Sequence, residues 1–439
     1  MQREKVLLVR APNLYKSEQW KKQGVLRTPT NLALLASYIR ECGRYDPEIL
    51  DFELEDSTTP QEVAISIVAK KAKIIGFTTL TPRFPTILKI TQEIKKISKD
   101  LVTIVGGPHI TGRPQDCQYI SIDYGVTGEG EPAILDLLNA LTSSGNVSNV
   151  PNIVHKLFGK LIINPKRHFI RDLDSLPFPA WDLLDMKQYK DPPFFQEKSH
   201  AGVFTSRGCP YDCTFCASKV TWERKVRYRS IDNVIAELTE LKSAFGTSNI
   251  YFYDDHIATK RDRATDLLER VKNLGIKYQL QLRADSVTPK LALLLKQSGC
   301  LSAAIGVEAG DEFMLKSIRK RETKNQIRKA VRTLREAEVP TLTSYIIGLP
   351  GDTHETIQKT LDFARELNTD QMKFMLLTPV PGTEVYQMAV ERGLLNPDDL
   401  EQMEKSTFYD TTAINLSNVS TEDLIRYQDI AYTELEKRS

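Results

Sequence analysis

Short apolar runs punctuate the chain, and between them apolar side chains return at helical spacing. In the first part KVLLV (5–9), EIL (48–50), IIGFT (74–78), VTIVGG (102–107) and DYGVTG (123–128) read as buried strands. NLALLASYIREC places Leu32, Leu35, Ala36 and Ile39 on one helical face, and PTILKITQEIKKI carries its proline at a first-turn position. Alternating strands and helices predict an α/β fold. Five such strands give an N-terminal doubly wound parallel five-stranded sheet, Rossmann-like, with ligands expected off its carboxyl ends.

Residues 141–200 break the rhythm. TSSGNVSNVPN is loop by composition, NIVHKLFGKLIIN looks like a small hairpin, and DSLPFPAWDLL is a proline-punctuated connector. From 201 the alternation resumes with AGVFTS, NIYFYDD, KYQLQLRAD, LSAAIGVE, TLTSYIIG and QMKFMLLTP as strands. Six βα units are too few for a closed eight-fold barrel, so a partial (β/α)6 barrel is expected. The expected division is a first domain at 1–140, a linker with hairpin at 141–200, a partial barrel at 201–385 and a short helical extension at 386–439. Its last helix, 421–437, is opened by Ser420 with Asp423 as a capping-box variant.

Composition narrows the partners. Lys and Arg number 59 against 57 Asp and Glu, a net charge of +2, so no polyanion footprint stands out and nucleic acid is not favoured. No stretch reaches the length of a membrane span, and the N-terminus lacks a signal-peptide pattern, so a cytoplasmic protein is expected. Cys42, Cys117 and Cys300 form no disulfide framework and suit a reducing compartment.

The other three cysteines are crowded into TSRGCPYDCTFCAS: Cys209, Cys213 and Cys216. Incidental thiols rarely show this spacing beside a glycine and a proline. A structural zinc ion wants four ligands, and the nearest extra candidates, His200 and His256, stand at no zinc-ribbon spacing. A 4Fe–4S cluster normally takes four thiolates. With three, one iron keeps an open position, which suits chemistry better than electron storage.

The CxxxCxxC motif, with Phe215 before its third cysteine and the first barrel strand before it, resembles the radical S-adenosylmethionine (SAM) superfamily. The resemblance implies that SAM chelates the open iron and is cleaved by one electron to methionine and a 5′-deoxyadenosyl radical. It also places SAM contacts by position. Asp254 and Asp255 in YFYDDH would meet the amino group, Arg283 and Asp285 in LRAD the carboxylate region, and Glu308 in IGVEAG the ribose and methionine portion. Gly348 in SYIIGLPGDT would pass the adenine. No residue is assigned as catalytic beyond these.

IGFTTL, IVGGPH and TGEGE in the first domain together look like the cobalamin-binding domain of one large radical SAM class, which includes methyltransferases and an anaerobic oxidative cyclase. Asp51 matches the family's DxHxxG, but Glu53 stands in place of its histidine and Asp56 in place of its glycine. Thr78 and Leu80 fit the S-x-L position, and Gly106 and Gly107 fit the paired glycines along the nucleotide tail. Arg83 either blocks the lower corrin face or is a solvated loop residue, and His109 reads as a loop histidine.

The resemblance thus implies three cofactors, a 4Fe–4S cluster, SAM and cobalamin, with an electron donor such as flavodoxin or ferredoxin. The leading expectation is methyl transfer to an unactivated carbon of a small-molecule or peptide substrate. An oxidative cyclisation or rearrangement keeps the same fold. A methylthiotransferase is disfavoured, since the first domain offers only Cys42 and Cys117 where a second cluster would want about three cysteines. A non-catalytic iron–sulfur or zinc protein that binds a partner is the remaining alternative.

Overall fold

The computed structural model describes residues 3–14, 26–55, 58–143, 145–190, 199–405 and 414–435. Asp56 of the expected cobalamin motif lies outside them, as do the last residues of the expected terminal helix. The described residues form two compact units, which divide after Tyr189.

The first unit is built on β1 (Glu4–Arg10), whose run Val6–Val9 is at most 2 % exposed. A strand so apolar on both faces must be central in a parallel sheet. It pairs in parallel with β2 (Tyr45–Asp51) on one side and β3 (Ile74–Thr78) on the other. Then follow β4 (Val102–Gly106) and β5 (Tyr124–Val126), giving the order β2-β1-β3-β4-β5. The order reverses at β1, which sets a switch point between the carboxyl ends of β1 and β3. Helices Thr30–Glu41 and Gly130–Thr142 share one core beneath this sheet, with Leu32, Ala36 and Ile39 against Ile134, Leu137 and Leu138.

The hairpin corrects the expectation of a five-stranded sheet followed by a linker. β6 (Ile153–Leu157) pairs antiparallel with β5, and β7 (Lys160–Ile163) with β6, so the sheet has seven strands. The reason is burial: Ile153 and Val154 are wholly inaccessible, and only a strand paired with β5 could hide both. Trp181 and Tyr189 are buried in the same unit, so the proline-rich connector also packs as structure.

The second unit carries six parallel strands in sequence order: β8 (His200–Val203), β11 (Asn249–Phe252), β12 (Lys277–Leu282), β13 (Cys300–Glu308), β14 (Thr341–Ile347) and β15 (Gln371–Leu376). A two-stranded ribbon of β9 (Ser206–Arg207) and β10 (Arg227–Tyr228) sits between β8 and β11 in sequence. Helices follow the strands as the spacing predicts, and the sequential order is that of a partial barrel. The free edge of β15 is covered by the helix Thr421–Leu435. There Tyr432 Oη and Gln428 Nε2 each donate to the Phe374 carbonyl at 2.7 Å, and the Phe374 N–H donates to Tyr432 Oη at 3.2 Å. An edge strand's unpaired backbone groups are thereby satisfied by side chains. Among the described residues no helix is long and apolar enough to cross a membrane.

Candidate active site

Cys209, Cys213 and Cys216 lie on the loop that leaves β9 at the carboxyl end of β8. All three are free thiols, Cys213 buried and the others half-buried. The Cys216 N–H donates to the Cys213 carbonyl at 3.2 Å, which makes the CxxC a tight turn. Burial pushes the Cys216 thiol up to about 12 and raises Cys209 and Cys213 as well. Such thiols give up their protons to a metal rather than to water. Among the described residues no three His, Cys, Asp or Glu side chains converge on a point that would hold a single metal ion. A cluster asks for something else, one thiolate for each of three irons, and three thiols spaced along one loop fit that demand.

The structure separates the two expected aspartates. Asp254 is 1 % exposed and its carboxylate is fully engaged. It accepts from the Thr205 N–H at 3.0 Å, from Thr205 Oγ1 at 2.7 Å and from Ser206 Oγ. Arg263 donates to Thr205 Oγ1 and to its carbonyl, closing the same knot. Asp254 therefore ties down the root of the cysteine loop, and it has no oxygen to spare for a ligand. Asp255 is exposed, with one oxygen accepting from Ser218 Oγ at 2.7 Å just past Cys216. Of the pair, only Asp255 is open.

Behind the loop lies a buried charge cluster that sequence reading located only in part. Glu308 sits at a β-bulge with φ +67° and turns back to Lys320 Nζ at 3.0 Å. Lys320 also faces Glu322 at 3.4 Å. Burial opposes its charge, but the two glutamates overcome that and raise its pKa. Arg283 stacks over the Tyr211 ring at 3.6 Å, donates to the Lys320 carbonyl at 2.8 Å, and pairs with Asp285 and Glu322 at 3.4 and 3.5 Å. Its Nε is buried without a hydrogen bond among the described residues. His256 is held neutral, pushed down to about 4 by burial and by Arg283, with its Nδ1 buried without a hydrogen bond among the described residues.

Lys320, Glu322, Tyr211 and His256 were missed as site residues. Nothing in the spacing of SIRKRE shows that one lysine turns inward. Gly348 has φ +87°, and its turn is held by Asp352, which accepts from the Gly348 and Leu349 N–H groups at 3.2 and 2.9 Å. A Cβ on Gly348 would meet Leu424 of the terminal helix at 3.0 Å, so that helix packs against the turn.

In the first unit the expected cobalamin residues gather at the carboxyl ends of β2, β3 and β4. Asp51 accepts from Arg10 Nε and Tyr189 Oη, both at 2.6 Å. Arg83 is neither solvated nor free: its guanidinium donates to both oxygens of Glu53, the residue standing where the family has histidine. Arg10 reaches Glu53 at 3.3 Å as well. Thr78 Oγ1 accepts from Asn31 at 2.8 Å, and Leu80 is 49 % exposed beside it. Gly107 has φ +104°, and a Cβ there would strike the Thr79 backbone at 2.9 Å, so this glycine is demanded first by the loop after β3. His109 is buried, between Asp116 at 2.8 Å and Thr81 at 3.2 Å and stacked on Phe84. Neither of its nitrogens is available to a metal. An uncovered leucine beside a threonine hydroxyl at a switch point, with glycines at the next strand end, fits a broad, apolar-edged cofactor with a polar tail.

The first unit is thus a doubly wound cofactor domain, and the second a partial barrel with a three-thiol loop at its mouth. Comparison with known proteins gives the same division. Residues 203–364 match the radical SAM superfamily and residues 24–138 the B12 binding domain. An uncharacterized methyltransferase of Pyrococcus horikoshii is 33 % identical over 89 % of this chain and 84 % of its own length. An anaerobic magnesium-protoporphyrin IX monomethyl ester cyclase of Rubrivivax gelatinosus is 28 % identical over 82 % of this chain, which spans 66 % of that relative. Among solved structures, the radical SAM methyltransferase TsrM of Kitasatospora setae, with cobalamin and a 4Fe–4S cluster bound, superposes with a TM-score of 0.72. It is 18 % identical, over 89 % of this chain and 75 % of its own, and so shares the fold. The chain belongs to the radical SAM superfamily and carries a B12-binding domain ahead of its barrel.

Proposed function

We propose that the chain is a cobalamin-dependent radical SAM methyltransferase acting on an unactivated carbon of a small-molecule or peptide substrate. The observation that carries this reading is the three-thiol loop at a parallel-barrel mouth, in a chain whose first unit matches the B12 binding domain. The bound groups would supply one-electron cleavage of SAM and a methyl carrier. The chain's own residues hold and orient them.

Cys209, Cys213 and Cys216 are the cluster ligands in this reading, and Asp254 fixes their loop through Thr205 and Ser206. Asp255 offers a carboxylate to the SAM ammonium, an attraction strengthened by charge on both sides. Arg283 suits the SAM carboxylate, with Asp285 and Glu322 setting the guanidinium plane. Glu308, paired with Lys320, presents a fixed charge near the ribose, and Gly348 lets the adenine approach its turn. In the first unit Thr78, Leu80, Gly106 and Gly107 would line the corrin and its tail, with Asp51 and Arg83 shaping the strand ends. A small acidic carrier such as flavodoxin or ferredoxin would deliver the electron. A cytoplasmic setting suits the six free cysteines.

A second reading is oxidative cyclisation or rearrangement, favoured by the cyclases among the relatives. The two are separated by product analysis of anaerobically reconstituted protein given SAM, hydroxocobalamin and reductant. Methyl transfer yields S-adenosylhomocysteine together with 5′-deoxyadenosine. Deoxyadenosine without S-adenosylhomocysteine, in the presence of turned-over substrate, would leave the cyclase reading. No deoxyadenosine at all would sink both.

A further inference from the structure

The turn that leaves β14 is soft by composition. Gly348 and Gly351 both take left-handed angles, φ +87° and +85°. Glycine populates either sign of φ about equally, so neither residue holds the turn in shape by itself. The shape is imposed from two sides. Inside, the Asp352 carboxylate accepts from Thr356 Oγ1 at 2.7 Å as well as from the Gly348 and Leu349 N–H groups. Outside, residues 414–419 run along the turn. The Gly351 N–H donates to the Leu416 carbonyl at 3.3 Å, and the Asn418 N–H to the Asp352 carbonyl at 2.8 Å. Leu416 and Val419 are buried, so this stretch is docked on the turn and not merely adjacent to it.

Leu424 completes the outer side. It is buried, and its Cδ1, Cδ2 and Cγ stand 3.0, 3.7 and 3.9 Å from the point where a Cβ on Gly348 would lie. The leucine therefore fills the space that the glycine leaves empty. Its helix is held at both ends. At the head, Ser420 Oγ accepts from the Asp423 N–H at 3.1 Å, and further along Gln428 and Tyr432 grip Phe374. β14 and β15 are paired, Tyr345 beside Phe374 and Ile347 beside Leu376, so the helix is braced on the strand next to the turn it presses. Covering the β15 edge falls to Gln428 and Tyr432; the contact with Gly348 is a separate one.

We propose that Leu424 is a positioning residue for SAM, one that holds the Gly348 turn in the conformation that receives the adenine. The proposal rests on the radical SAM reading, in which that turn passes the adenine, and adds the side chain that fixes it. A protein whose receptive conformation is populated only in part binds its ligand with an affinity reduced by that fraction. Without the leucine, the two glycines let the turn leave its receptive shape. The methionine end of SAM is met by Asp255 and Arg283, from the loops after β11 and β12, and neither leans on the terminal helix. Loss of Leu424 therefore acts on the adenine's share of the affinity alone.

The test uses the full chain with its cluster reconstituted and two probes, SAM and free methionine, which shares the amino and carboxylate groups but has no adenine. Binding of each is measured by isothermal titration. Leu424→Ala is expected to weaken SAM about tenfold, as the receptive fraction falls to about a tenth. Methionine affinity and iron content should stay within about twofold of the parent. Leu424→Met, of similar volume, should bring SAM affinity back to within about threefold. Leu424→Val removes less of the side chain and gives the same SAM-against-methionine comparison if the alanine variant loses iron. Unchanged SAM affinity in the truncated variants would overturn the proposal. So would equal weakening of both probes, which would make Leu424 a general support of the barrel, or a Leu424→Met chain as weak for SAM as Leu424→Ala. A parent that binds SAM no more tightly than methionine would instead overturn the reading of the Gly348 turn as the adenine site.

Discussion

Lys320 Nζ lies 3.0 Å from Glu308 Oε1 with both side chains more than nine-tenths buried, and Glu322 stands on its other side. Removing one partner of such a pair leaves an uncompensated charge, which costs far more than the pair contributes. Lys320→Met should lower the unfolding free energy by about 3–5 kcal/mol, and Glu308→Gln in the same chain should restore part of it. Urea titration of the three proteins checks this. A single-variant loss under about 1 kcal/mol would show that water reaches the cluster of charges.

The neighbouring aspartates should fail in different ways. Asp254→Ala strands the Thr205 N–H and the Thr205 and Ser206 hydroxyls in a dry site, at about 1–3 kcal/mol for each unsatisfied group. It should destabilise the second unit and lower iron retention. Asp255→Ala should leave the melting temperature within a degree or two, while weakening SAM binding about tenfold by isothermal titration, worth about 1.4 kcal/mol. A reversal of these two outcomes would mean that the carboxylates have been assigned the wrong way round.

Glu53 and Arg83 close on each other where a histidine would otherwise rise toward cobalt. The cobalamin-loaded chain in its Co(II) state should therefore show no coupling to a protein nitrogen. Paramagnetic resonance on chain labelled with nitrogen-15 histidine checks it, and any label-dependent splitting would contradict the arrangement. Glu53→Ala should also cost about 3 kcal/mol or more of stability, since two arginines lose a buried partner.

Asp352 offers a pH signature. Burial raises its carboxyl from 3.8 to about 6, against the pull of Thr356 and two backbone N–H groups. Between those values the folded chain keeps a proton that the unfolded chain has released. Its contribution is thus present in full below about pH 4 and is lost as pH rises through about 6, by up to ~3 kcal/mol. Asp352→Asn should flatten that part of the stability profile in denaturant titrations from pH 4 to 7. A variant profile parallel to the parent would refute the assignment.

Strands were legible because burial on both faces leaves an unmistakable apolar run, as in Val6–Val9. The cysteine loop was legible because its chemistry is local: three ligands inside one turn of chain. The hairpin's place in the sheet was not, since Ile153 and Val154 say that they are buried but not against what. Asp254 and Asp255 are indistinguishable as neighbours in sequence; only the arrival of Thr205 and Ser206 from another strand makes one structural. Lys320 was hidden for the same reason, because its two carboxylates come from β13 and from a turn, and a run of charges carries no sign of which member faces inward.

The clamp on Phe374 has a consequence for how the chain is made. Its carbonyl and N–H are satisfied by Gln428 and Tyr432, 54 and 58 residues further along. At synthesis rates of about 5–20 residues per second, β15 waits roughly 3–12 s in the growing chain before its cover is made. For that interval it is a naked strand edge, open to pairing with any other nascent chain. Expression yield of the second unit should therefore depend on chaperone supply and on crowding of ribosomes along the message. The same clamp that completes the barrel also dates its completion, and leaves a window in which misassembly competes.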